Sequence, residues 1–339
     1  MWMDAAVLAA VAALIFWGCR RERVTDHDKY MVRMNQLRGL FALEIVIGHV
    51  VRDSRTILYP LGKMMIISVA FFFFVSGYGL AGSFYRKERY LASFPRTKLL
   101  YLFLLAVSAY IVSCGIEALS GSFHWYLPDS IRQLPATFAV SVNWYIWEQL
   151  LWYVLFALIY GLLPRKWRTG VAFAVGFAVG CVFFFAGFEQ KYYCSILGFP
   201  AGLCFYEYRE QILKFFAGWV GKVLTAAVAA VSISCLFMPE DSFLGMMILR
   251  NLLCLSAVSL VTILVGYVRI GNPVSSWLGK ISPELYLMQF PWLLATEGMQ
   301  EQYLLRMAVV LTASIVSAAI LHRLNDLWRV HLKGNTRHG

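Results

Sequence analysis

The sequence predicts an all-α fold, a polytopic transmembrane helix bundle, and three observations carry that prediction. The 339 residues are 60% hydrophobic and only 14% charged, with a mean hydropathy of +0.65, well above the apolar share of a soluble domain. Apolar runs of about 17 to 25 residues recur along the chain, the length that a bilayer core requires of a helix. The short alternating segments of a membrane barrel are not seen. The net charge of +11 lies in short clusters between the apolar runs, so loop positioning explains it better than a nucleic-acid surface does. The seven cysteines are scattered singly with no C-x-x-C pair, which argues against a zinc site or a disulfide framework.

Taken in order, residues 4–18 form a short Ala-rich segment that ends at Arg20-Arg21-Glu22-Arg23. Its charged end is the wrong one for a signal peptide and no A-x-A site follows, so a retained helix is expected. Residues 1–19 are therefore assigned to an extra N-terminal helix and 20–36 to a basic cytoplasmic linker. Residues 37–325 form the main bundle and 326–339 a cytoplasmic tail. The second apolar run holds Arg38 and His49, eleven residues apart. Eleven residues make very nearly three turns, so both stand on one helix face, roughly 16 Å apart along the axis. Later spans are expected near 64–83, 98–118, 143–163, 169–187, 191–208, 217–238, 245–267, 281–296 and 303–324, eleven in all.

Threading these spans alternately puts 23 of the 30 basic residues on one side and acids such as Glu117, Glu189 and Glu297 on the other. The positive-inside rule then sets the N-terminus outside and the C-terminus in the cytoplasm. The longest external connection, 119–142, contains His124-Trp125 and is expected to be an ordered lid or an interfacial helix.

Of the six histidines, only His49 falls inside a span. A titratable side chain within a membrane is costly and is read as functional by default. A neutral imidazole at mid-depth suits proton abstraction from a hydroxyl; the plainer reading is a structural histidine bonded to a neighbouring carbonyl. Arg38 also has a plain reading, an arginine snorkelling to the inner surface. Glu44, about 140° around the helix from His49, is expected to face another neighbour.

Five segments in order carry a resemblance. They are Arg38 with His49, Phe72-Phe73-Phe74-Val75-Ser76-Gly77-Tyr78, Phe94-Pro95-Arg96-Thr97-Lys98, Asn143 to Tyr153, and Leu278 to Pro291. Together they resemble the acyltransferase 3 family of membrane acyltransferases, over residues 35 to about 325. The resemblance implies a ten-helix bundle, here with one extra N-terminal helix, in a cell membrane of bacterial type. It implies transfer of an acyl group, usually acetyl, from cytoplasmic acyl-coenzyme A to a carbohydrate or glycolipid hydroxyl at the outer face, with no metal.

On that resemblance His49 is the base, and Arg38, Arg96 and Lys98 meet the phosphates of the coenzyme, with Ser76 and Tyr78 as further donor contacts. Trp144, Glu148 and Tyr153 are candidates for the acceptor. Plain readings stand beside these: close helix packing for Ser76 and Gly77, and an aromatic belt for Tyr78, Trp144 and Trp147. Pro283 and Gln289 depart from the tyrosine and histidine usual in the late motif. Ser282-Pro283-Glu284 nevertheless reads as a helix start. With no C-terminal hydrolase-like domain expected, transfer is expected to be carried out by this chain alone or with a separate partner. The rival reading is a saccharide or lipid transporter in which His49 relays protons, and a third is an inactive scaffold.

Overall fold

The computed structural model describes residues 2–24, 26–52, 56–121, 144–233 and 242–334. The helices are α1 (Trp2–Phe16), α2 (His27–Val51), α3 (Tyr59–Arg86), α4 (Tyr90–Ser120), α5 (Trp144–Leu162) and α6 (Arg165–Phe185). They continue as α7 (Gly198–Ala217), α8 (Trp219–Ile233), α9 (Leu244–Tyr267), α10 (Pro273–Ala295) and α11 (Tyr303–Gly334). The only strands among the described residues are β1 (Arg20–Arg21) and β2 (Val268–Arg269), an antiparallel pair that ties the end of α1 to the end of α9.

Six helical segments are long and apolar enough to cross a membrane: α3, α4, α5, α6, α9 and Glu297–Trp328, which contains most of α11. The pair α7 and α8, bent by 95°, adds a seventh if it is one broken span. Helices α2 and α10, which carry the key polar residues, fall outside that test. Both pack inside the bundle, with Ala42, Ile45, Val46, Leu285 and Met288 buried, so neighbours rather than lipid surround their polar groups.

Glycines set how closely these helices approach. A Cβ on Gly279 of α10 would lie 2.0 Å from the Asn35 carbonyl of α2, and one on Gly39 would lie 2.5 Å from the Gly279 amide. The crossing of α2 with α10 is therefore backbone against backbone, as small residues permit. Gly202 of α7 meets the Phe74 carbonyl of α3 in the same way, at 2.1 Å.

Several boundaries differ from the sequence expectation. Helix α2 starts at His27, ten residues before Leu37, because Asp26 caps it by accepting from the Lys29 amide at 3.2 Å. Its first turns are then fastened to α9, where the Tyr30 hydroxyl donates to the Thr262 carbonyl at 2.6 Å and Arg33 Nη1 to the Val265 carbonyl at 2.9 Å. Helix α10 starts at Pro273, not at Ser282, because Asn272 and Ser275 form a reciprocal capping box. Pro283 consequently lies inside the helix. Helix α4 starts at Tyr90 and includes a π turn over Pro95–Leu100, a form common at functional sites. Residues 122–142 of the expected lid, and Asn143, lie outside the described residues.

Contacts gather the helix ends at two poles. At the first, Asp28 pairs with Arg86, Arg165 Nε lies 2.8 Å from Glu207, and the Tyr78 hydroxyl stands 2.9 Å from His27 Nδ1. The second holds the ends of α2 and α3 around Arg52 and Lys63 and the segment Glu189–Lys191, with Gln190 accepting from Arg250 of α9. The N-terminal helix follows the same two poles: Asn272 Nδ2 donates to the Leu14 carbonyl at 2.7 Å, and the Tyr303 hydroxyl bonds Asp4.

Candidate active site

Two cavities adjoin along α2. The first, of about 190 Å³, is lined by Arg38, Ser76, Lys98, Tyr101, Tyr145, Gln149, Tyr153, Ser282, Pro283 and Tyr286, among others. The second, of about 240 Å³, lies toward the second pole and is lined by His49, Arg52, Lys63, Trp144, Glu189, Lys191, Arg250 and Tyr286, among others. Tyr286 lines both. Its ring packs on Tyr145 with centroids 5.1 Å apart, and Tyr145 packs on Phe72 at 6.1 Å, so an aromatic partition separates the two spaces.

Arg38 is held by a defect in α10. In a regular helix the amide of residue 283 would donate to the carbonyl of residue 279, but proline has no N–H and leaves that oxygen unclaimed by the backbone. Arg38 Nη2 donates to the Gly279 carbonyl at 2.8 Å, and the Ser282 hydroxyl donates to it at 3.0 Å. The guanidinium is thereby fixed at the wall of the first cavity. Lys98 reaches the same cavity from the π turn of α4, together with Tyr101 just beyond that turn. Ser76 is an electrostatic neighbour of the Tyr145 and Tyr153 hydroxyls, and the Tyr145 hydroxyl itself donates to Gln149 Oε1 at 3.1 Å.

His49 lies in the last turn of α2 and not at mid-depth as expected, because the helix begins at His27 and so puts Arg38 near its middle. Its imidazole is half-buried, with the ring 5.6 Å from that of Phe290 and no hydrogen bond to any described residue. Gly48 lets α3 approach beside it, since a Cβ there would lie 2.6 Å from Met65 Cγ. Glu44 faces α3, as expected, and accepts from the Ser68 hydroxyl at 2.5 Å. Glu148, one turn from Trp144, is 3% exposed and both its carboxyl oxygens are buried with no hydrogen-bond partner among the described residues. The Tyr145, Tyr192 and Tyr286 hydroxyls are its electrostatic neighbours.

The candidates therefore sort into groups that the sequence did not separate. Arg38, Ser76 and Lys98 meet in the first cavity, and His49 and Trp144 in the second. Tyr153, expected with the acceptor, lines the first cavity beside Arg38. Its helical offset of nine residues from Trp144 carries it two and a half turns toward the first pole. Arg96 lines neither cavity. Nor does Tyr78, which turns to the His27 side of α3 and accepts from Arg209 Nη1 at 3.3 Å. Two residues along a helix is about 200° of rotation, so Ser76 and Tyr78 cannot share a face. Gln289 is fully buried and donates to the Tyr286 carbonyl at 2.9 Å, which steadies the partition residue. Sequence reasoning did not single out Tyr145 and Tyr286 within their motifs, nor Arg52, Lys63, Lys191 and Arg250. The signal for these four was their place on the side otherwise poor in basic residues.

Among the described residues no cluster of His, Cys, Asp or Glu could hold a metal ion. Long apolar helices around two adjoining polar cavities define an integral membrane protein. Residues 31–323 match the family model of an acyltransferase domain, acyltransferase 3, and the chain belongs to that family of membrane acyltransferases. No curated protein and no solved structure matches it.

Proposed function

We propose that this acyltransferase takes an acyl group, acetyl foremost, from cytoplasmic acyl-coenzyme A and delivers it to a hydroxyl of an envelope carbohydrate or glycolipid at the outer face. One observation carries this reading: the two cavities meet at Tyr286, with Arg38 and Lys98 in one and His49 in the other, along one face of α2. A guanidinium fork and an ammonium suit the phosphates of the coenzyme. The pantetheine arm follows α2 past the aromatic partition, over the roughly 16 Å that eleven helical residues span.

At the far end His49 takes the proton of the acceptor hydroxyl as its oxygen attacks the thioester carbonyl carbon. The carbon–sulfur bond breaks, and the imidazolium returns the proton to the departing thiolate. Ester and free coenzyme A result, with no acyl-enzyme and no net proton change. Glu148 lines neither cavity and acts through its neighbour Tyr286, whose ring it holds at the partition from α5. The test is transfer of labelled acetyl from acetyl-coenzyme A by purified protein in membranes. His49→Ala is expected to lower the rate at least about a hundredfold, the lower range for a lost general base, with unchanged thermal stability. An unaltered rate in a folded variant ends the proposal.

A further inference from the structure

The cavity that holds His49 is cationic. Arg52, Lys63, Lys191 and Arg250 line it against a single carboxylate, Glu189, which already pairs with Lys191 at 2.8 Å. These four belong to the seven Lys and Arg residues that the alternating topology leaves on the second side, against 23 on the first. Arg55 and Arg132 lie outside the described residues, and Arg306 caps the end of α10 by donating to the Leu293 carbonyl at 3.2 Å. All but one of the described basic residues of that side thus surround one cavity, where a random scatter would place them over many loops.

They come from four separate stretches: the end of α2, the start of α3, the Glu189–Lys191 segment and α9. Arg250 is half-buried and bonds Gln190, while its Nε is buried with no acceptor among the described residues. Lys191 and Arg250 are half-buried and Arg52 and Lys63 exposed; four cations gathered around one concave space repel one another, a cost that a bound anion removes.

We infer that the acceptor is an acidic glycan, one whose acylated sugar or its neighbour carries a carboxylate or phosphate that Arg250 and its cationic companions grip while His49 faces the hydroxyl. This rests on the acyltransferase reading above and narrows its substrate class. Arginine forks take carboxylate and phosphate in two-point contact, so the anion would also fix which hydroxyl is presented. The coenzyme's own phosphates share this chemistry, and the experiment separates the two sources.

Binding of an oligogalacturonate to the purified full chain is compared with binding of its methyl ester, which has the same sugars without the charge. The charged form is expected to bind at least about tenfold more tightly, the worth of one charge-assisted contact. The preference should shrink with added salt. Arg250→Gln should abolish most of it and Arg250→Lys keep part of it, with the affinity for coenzyme A unchanged in both. Equal binding of the two glycans, or no effect of Arg250→Gln, overturns the inference. So does weakened coenzyme A binding in Arg250→Gln with glycan binding intact, which would make the cavity a donor site. Acetyl-coenzyme A turnover, measured separately, tests the acyltransferase reading itself. A chain that binds the acidic glycan through Arg250 yet never consumes the thioester sinks that reading and leaves the anion site standing.

Discussion

The contact between Arg38 and the Gly279 carbonyl depends on a residue that makes no hydrogen bond there at all. Pro283 withholds the amide that would otherwise compete for that oxygen, and the departure from the family's usual tyrosine becomes a positioning device for the guanidinium. Pro283→Ala restores the competing N–H. It is expected to raise the thermal stability of the protein while increasing KM for acetyl-coenzyme A by roughly threefold, a fraction of one charged hydrogen bond. Steady-state kinetics with varied donor checks this, and an unchanged donor KM removes Pro283 from the site. Neither the role of Pro283 nor the partner of Arg38 could be read from the sequence, because 241 residues separate Arg38 from Gly279.

At the scale of elements, α2 and α10 form the axis on which both cavities hang, and their spacing is set by Gly39 and Gly279. Gly279→Ala places a methyl 2.0 Å from the Asn35 carbonyl and forces the helices apart. The expected cost is about 1–3 kcal/mol, seen as a lower unfolding temperature in detergent together with weakened donor binding. Gly115→Ala in α4 is the contrasting case. Its Cβ would meet nothing within 4 Å, so stability should hold or rise by up to about 1 kcal/mol from helix propensity. Equal effects of the two substitutions would show that the crossing does not govern the fold. The existence of most spans was legible in the apolar runs. The true starts of α2 and α10 were not, since each is fixed by a cap and, in α2, by partners on α9 that lie more than 200 residues away.

The whole molecule separates two poles of different chemistry. Charged loops crowd the first, while at the second four of the five described cations line the cavity of His49. The proposed function requires the first pole to face the cytoplasm, as the distribution of basic residues predicts. Cysteines placed at Lys63 and at Lys166 report on this directly, because both side chains are exposed at opposite poles; Cys19, itself exposed, is a native reporter of the first pole. A membrane-impermeant maleimide is expected to label Lys63→Cys in intact cells and Lys166→Cys and Cys19 only after permeabilisation. The reverse pattern would turn the molecule over and put the donor on the wrong side.

The sequence by itself determined that the chain is a membrane-embedded helical bundle and that Arg38 and His49 share a helix face. Both are local properties, written in hydropathy and in a period of 3.6 residues. Its ordered motifs also pointed to the family. Only the tertiary structure decided which faces meet: that Tyr153 stands with Arg38, that Tyr78 looks elsewhere, that Tyr286 stands between two adjoining cavities, and that four scattered cations line the cavity of His49. Periodicity says which way a side chain points from its own helix axis, whereas a cavity is defined by the rotation and approach of several axes. Here those are set by glycine contacts, a proline gap and buried hydrogen bonds between residues remote in the chain.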